Sequence, residues 1–263
     1  MKKRTRTILF IVCLILFALA APSMILYSQG FRFDFNPPAN GKRIVQTGGF
    51  YFKVLPGSVN IYLNGKLKAE TSIITNSSLI QNLLPKTYHI EIRKDGYHIW
   101  RKNLEVKEAQ VTEAKNIILF PEKPNFTIIN DPMPEIKPNT TSSDKNKVIE
   151  ANDYEISVFF PEKEEKIFLT RFSEKICQIF WLNDYYLIFT VGEKIRTSSP
   201  DGSENLVFSP CSKIKIVEID DRDKLNIIDL AEFENPEIFW SQNDKKLYVL
   251  SQGSVYSSEN LLK

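Results

Sequence analysis

Behind a basic tip, Met1-Lys-Lys-Arg-Thr-Arg6, a nearly unbroken apolar run extends from Ile8 to Tyr27. About 20 apolar residues at roughly 1.5 Å rise per residue match a hydrocarbon core of about 30 Å, so this segment reads as a membrane-spanning helix and partner of the bilayer. Lys2, Lys3, Arg4 and Arg6 precede the run with no acidic residue among them, which assigns the amino end to the cytoplasm and everything after Gln29 to the far side. A cleaved signal peptide is the competing reading, because Ala18-Leu19-Ala20 fits the small-x-small pattern. The run continues through Met24, Ile25, Leu26 and Tyr27, too long for most such leaders, and Pro22 lies near its outer end where a helix tolerates a kink. An uncleaved anchor is the expectation.

Lys and Arg total 34 against 32 Asp and Glu, a net charge of +2, and four of those positive charges belong to the tip. Nothing here resembles the basic footprint of a nucleic-acid binder. Only 10 glycines occur and none forms a phosphate-binding loop, so nucleotide chemistry has no footing either. Cys13 lies in the apolar run. Cys177 and Cys211 would face an oxidising space where a bridge between them could persist, but neither has a Cys or His neighbour at metal-ligand spacing, and two separate thiols is the default reading.

From Gly48 to Pro121 short alternating apolar runs are punctuated by turns. Val59, Ile61 and Leu63 alternate with polar neighbours before Asn64-Gly65, a pair suited to a tight hairpin because both accept positive φ. Tyr88, Ile90 and Ile92 alternate before Asp95-Gly96, and Trp100–Val106 and Asn116–Phe120 are two more strand candidates. The unit reads as a sandwich of roughly six or seven strands.

Two blocks of this stretch resemble the PEGA domain. Pro56-Gly-Ser-Val-Asn-Ile-Tyr-Leu-Asn-Gly-Lys66 is similar to the family's eponymous turn, strand and hairpin, and Leu83-Leu-Pro-Lys-Thr-Tyr-His-Ile-Glu-Ile92 followed by Lys94-Asp-Gly-Tyr97 is similar to its second block. Thr71-Ser72 stands where the family usually has Thr-Pro, and Lys86 replaces a glycine. The resemblance implies a β-sandwich module of surface proteins, often membrane-attached, and no chemistry.

Residues 122–150 carry Pro124, Pro132, Pro134 and Pro138 and then a run of Asn, Thr, Ser, Asp and Lys, which reads as an exposed linker. Beyond it Glu155–Phe160, Lys166–Phe172, Gln178–Trp181, Tyr185–Val191 and Lys194–Ser198 read as strands. Ile179–Phe189 compares with Ile238–Val249 as an internal repeat of Trp-ended strand, Asn/Asp turn and second apolar strand, with Ser199-Pro-Asp-Gly202 as a further turn. Such repeats resemble blades of a β-propeller. About two are present, where closure needs roughly four or more, so an edge strand between Glu155 and Ser198 could receive a partner's strand.

The fold class expected is therefore mainly β. A tip and anchor occupy 1–29, a juxtamembrane segment 30–47, a PEGA-like β-sandwich 48–121, the linker 122–150, and an incomplete β-propeller-like region 151–263.

Chemistry-bearing residues are few. His89 and His98 stand alone, with no partner at ligand spacing and no Ser-His-Asp arrangement. Acidic clusters occur at Glu162, Glu164 and Glu165 and at Glu218, Asp220, Asp221 and Asp223. Both read as solvated turns, although paired carboxyls could serve glycan hydrolysis or bind calcium. Trp181 and Trp240 hold equivalent repeat positions and read as core. Tyr97 and Trp100, beside the Lys94–Gly96 turn, are the candidate ligand surface. No catalytic residue, metal or cofactor is assigned. The expected role is a non-enzymatic envelope module or scaffold that binds cell-wall glycan or an envelope protein; the alternative is an envelope glycan-acting hydrolase or sensor whose acidic clusters meet between domains.

Overall fold

The computed structural model describes residues 3–37, 41–130, 139–192, 194–198, 204–208 and 211–262. Strand accounts for 52% of the chain and helix for 12%, so the molecule is mainly β with one apolar helix at its start. That helix, α1 (Lys3–Ser28), is long and apolar enough to cross a membrane, and its large apolar side chains lie exposed along its length. A hairpin of β1 (Phe31–Phe33) and β2 (Ile44–Gln46) occupies the juxtamembrane segment.

The sandwich follows. It comprises β3 (Gly48–Leu55), β4 (Asn60–Leu63), β5 (Lys66–Glu70), β6 (Ser77–Leu83), β7 (Thr87–Arg93), β8 (Trp100–Glu105) and β9 (Val111–Ile118), seven strands against the six or seven expected, with β6 not among the named runs and β9 starting ahead of the expected Asn116–Phe120. One sheet has the order β6-β3-β9, with β3 and β9 parallel; the other, β5-β4-β7-β8, is antiparallel. Alternating residues of both sheets, among them Phe50, Phe52, Ile61, Ile90 and Ile92, fill the space between. Asn64 and Gly65 take φ of 50° and 76°, the positive-φ pair a two-residue hairpin requires.

The stretch read as linker is not simply exposed. It contributes β10 (Phe126–Ile129) and β11 (Val148–Ala151), and Ser142 and Lys147 between them are buried. The Trp181 indole donates to Thr140 O at 3.0 Å, so this segment folds because a downstream Trp packs over it. The remaining strands are β12 (Glu155–Phe160), β13 (Glu165–Arg171), β14 (Lys175–Asn183), β15 (Tyr186–Gly192), β16 (Lys194–Ser198), β17 (Glu204–Phe208), β18 (Lys213–Glu218), β19 (Ile227–Glu232), β20 (Glu237–Ser241), β21 (Lys246–Ser251) and β22 (Ser254–Ser258).

They form three stacked sheets, β11-β12-β13, β14-β15-β18-β19 and β10-β22-β21-β20, plus the hairpin β16-β17. The sequence suggests about two blades; β11–β13 add another sheet, and among the described residues no sheet closes on itself. The middle sheet is covered on both faces. Phe180 and Leu182 of β14 enter one core and Trp181 the other, and all seven residues of β15 are buried. That explains why Tyr186-Leu-Ile-Phe-Thr-Val-Gly192 shows no polar alternation. Trp181 pairs across its hairpin with Leu187 and Trp240 with Leu247, and each Trp faces the sheet that precedes its own. Both are core residues of a true structural repeat. The turn expected at Ser199–Gly202 lies outside the described residues.

β10 comes first in this region yet pairs with β22, the last strand, tying the two ends together. Phe126, Phe233 and Tyr256 stack beneath that pairing at 5.0 and 5.1 Å. Cys177 and Cys211 are bridged, their Cα atoms 6.6 Å apart, so the default of two separate thiols is corrected. The reason is topological: β14 and the residues leading into β18 flank β15, which brings residues 34 apart in sequence side by side.

Candidate functional site: a polar clasp and cleft between the modules

Strand β8 is the outer strand of its sheet, and an uncovered edge would leave a row of backbone groups unpaired. The 219–226 loop covers it. Asn226 Oδ1 accepts from Arg101 N at 3.0 Å while Asn226 Nδ2 donates to Arg101 O at 3.1 Å, and Asp223 accepts from Asn103 N at 2.6 Å. Side chains from the second module thereby substitute for a neighbouring strand.

Inward from that edge, Trp100, Lys102 and Leu104 alternate on the buried face of β8. Lys102 is only 1% exposed and Glu218 only 3%, and they form an ion pair at 2.8 Å. The Lys102 ammonium also donates to Asp220 O at 2.6 Å and Lys224 O at 3.2 Å, which uses all three of its protons. Glu218 is equally full. Its Oε1 receives Lys102, Asn226 N at 3.0 Å and Asn226 Nδ2 at 2.8 Å, and its Oε2 receives the Trp100 indole at 2.8 Å. Four donors on one carboxylate match its roughly four lone-pair sites.

Beside the clasp lies a cleft of about 350 Å³ whose walls include Glu113, Tyr185, Asp220 and Arg222. Arg222 grips Asp220 through two nitrogens, at 2.9 and 2.6 Å, and reaches across to Glu113 O at 2.8 Å. Burial alone would raise the Asp220 carboxyl, but hydrogen bonds from Arg222 and the charges of Lys102 and Arg222 outweigh it and hold it below the usual range. The backbone N–H of Asn103 likewise holds Asp223 down. At the floor, Ile118 N donates to the Tyr186 hydroxyl at 3.0 Å and Phe120 meets the Tyr186 ring edge-on at 5.4 Å. Burial foremost, with the Glu218 charge behind it, pushes the Tyr186 phenol far up, so it stays neutral.

Of the expected ligand surface, Trp100 is buried and committed to Glu218, and Tyr97 is half-buried against the sandwich core, its backbone bridging to Pro121. The two do not form an open aromatic patch, because the indole N–H of Trp100 is needed to satisfy a buried carboxylate. His89 is exposed, its Nδ1 3.0 Å from Asn103 Oδ1, and His98 donates its backbone N–H to Phe120 O. Glu162, Glu164 and Glu165 stand exposed at the β12–β13 turn and do not line the cleft. Of the second acidic cluster, Asp221 is exposed as a solvated turn would have it, whereas Glu218, Asp220 and Asp223 bind the two modules together. Among the described residues no three His, Cys, Asp or Glu side chains are grouped to hold a metal ion. Lys102, Asn226 and Arg222 were not singled out from sequence. The available signal was Lys102 itself, a charge at an inward position between Trp100 and Leu104, which demands a buried counter-ion.

No protein-family model matches this chain, and no curated protein does. Among solved structures, a protein from Bacteroides fragilis, titled as a putative membrane-associated protein of unknown function, overlaps 81% of this chain and 94% of its own at 10% identity, with a TM-score of 0.20. A score that low supports no inference about this chain.

Proposed function

We propose that this is a single-pass, membrane-anchored protein of the cell envelope, amino end cytoplasmic and β-modules outside, which acts without catalysis as a scaffold or binding module for cell-wall glycan or an envelope protein. The observation that carries the reading is the saturated Glu218 carboxylate: its four donors come from both modules, so its chemistry is spent on joining them. A scaffold needs that fixed geometry. The PEGA-like blocks within 48–121 add to it, as does β13, an end strand of its sheet with Phe168 exposed, which offers an edge for an extended segment of a partner. Protease treatment of intact spheroplasts tests the placement: the β-modules should be digested before lysis, and their survival until lysis would overturn it. Pull-down from solubilised envelopes with the full chain, using cell-wall glycan as a separate bait, tests the role, and enrichment of neither class would count against it.

A glycan-acting hydrolase is the second reading, favoured by the carboxyls of Glu113, Glu218 and Asp220 around one cleft. It has less support, because a general acid must keep its proton near neutral pH and Asp220 is held in the opposite direction. Release of reducing ends from cell-wall glycan, abolished by Asp220→Asn, would replace the scaffold reading with this one.

A further inference from the structure

We propose that the β1-β2 hairpin lies flat in the outer interface of the bilayer, a second membrane contact beyond α1; this rests on the anchored reading above. The hairpin is amphipathic across its two faces. Phe33 pairs with Ile44 and Arg32 with Val45, and Asp34 N donates to Arg43 O at 2.7 Å, which continues the ladder. Alternation then puts Arg32, Asp34 and Val45 on one face and Phe33, Phe35 and Ile44 on the other.

The polar face points to protein. An Arg32 nitrogen donates to Asn82 Oδ1 at 3.1 Å, at the end of the sandwich where β6 finishes, and Val45 is buried. Tyr88, at the same end, is raised chiefly by burial and further by the charge of Asp34. The other face is apolar and open: Phe33 is 48% exposed, Ile44 55% and Phe35 86%, with the two Phe rings edge-on at 4.9 Å.

Continuity with α1 identifies the occupant as lipid. The helix ends at Ser28, and Gly30 turns the chain with φ of 86°. Gln46 Nε2 donates to Gln29 O at 3.0 Å, and Thr47 donates to Gly30 O through both its N–H and its hydroxyl at 2.9 Å. Arg32 donates to Tyr27 O at 2.8 Å and stacks on the Tyr27 ring at 3.6 Å. The hairpin is thus fastened to the last turn of the helix and sits between bilayer and sandwich. An apolar face at that level, with exposed Lys42 beside Phe35, matches the depth at which interfacial elements insert, about 5 to 10 Å into the headgroup boundary. The lysine suits lipid phosphates.

The test uses the full chain in phosphatidylcholine vesicles whose acyl chains are brominated near the headgroup, with one added indole, Phe35→Trp or Ile74→Trp. Both positions are highly exposed, so neither change disturbs a core; Ile74, 92% exposed, lies at the opposite end of the sandwich, beyond the Lys53–Ser77 pair. Over the unsubstituted chain, the extra emission of Phe35→Trp should fall about twofold in brominated vesicles, and that of Ile74→Trp should not. Equal, unquenched emission from both in chains that survive an alkaline wash of the vesicles would overturn the hairpin contact alone. Release of the chain by that wash would overturn the anchored reading and this inference with it.

Discussion

Lys102 is the residue on which the junction turns. A lysine with no exposed side-chain surface is tolerable only because three acceptors meet its three protons, and Glu218 is tolerable only because four donors meet its oxygens. Removing one member leaves the other charged and unpaired in a dry site. Lys102→Met should therefore cost about 3 to 5 kcal/mol, whereas Lys102→Met with Glu218→Gln should recover much of that loss. Urea unfolding of the detergent-solubilised chain, followed by tryptophan emission, measures both; equal stability of the single and double variants would show that the charges are not coupled.

At the scale of elements, two glycines separate conformational need from spatial need. Gly65 has φ of 76° with open space around it, so Gly65→Ala costs only the left-handed backbone, about 1 kcal/mol. Gly48 is different. A Cβ there would strike Lys107 O, Gln110 O at 2.5 Å and Val106 Cγ1 at 2.7 Å, and two of those are main-chain atoms that cannot swing aside. Gly48→Ala should cost about 3 kcal/mol, clearly more than Gly65→Ala, as thermal unfolding of the two variants would reveal. A smaller loss at Gly48 would mean that the β3 start and the β8–β9 loop are free to part. The same logic of enforced proximity explains β10: its four residues have no strand neighbour in sequence, and they become a strand because β22 supplies a ladder and Phe233 and Tyr256 supply a surface.

For the whole molecule the clasp makes module contact dependent on acid. Asp220 and Asp223 are held below the usual carboxylate range, and Asp144, where burial is outweighed by hydrogen bonds from Lys147, Ser142 and Asn146 N, is held at about 2. Carboxyls depressed by folding contribute stability that is complete above their unfolded pKa of about 3.9 and lost as pH falls through the folded values. Stability should thus be level above about pH 5 and decline below about pH 4, and Asp220→Asn with Asp223→Asn should be less stable at neutral pH with a shallower decline. Guanidinium midpoints across that range check the sign, since a steeper decline in the variant would contradict it. The anchor-length helix, the strand alternation of the sandwich and the Trp-ended repeat were all legible in the chain, because each is a local pattern whose period states which faces must be covered. The strands Phe126–Ile129 and Val148–Ala151 within the stretch read as linker, the Cys177–Cys211 bridge and the Trp100–Lys102–Glu218–Asn226 clasp were not. Each depends on which distant surface arrives to supply the missing hydrogen bond, charge or apolar face, and that is decided only when sheets from opposite ends of the sequence stack against one another.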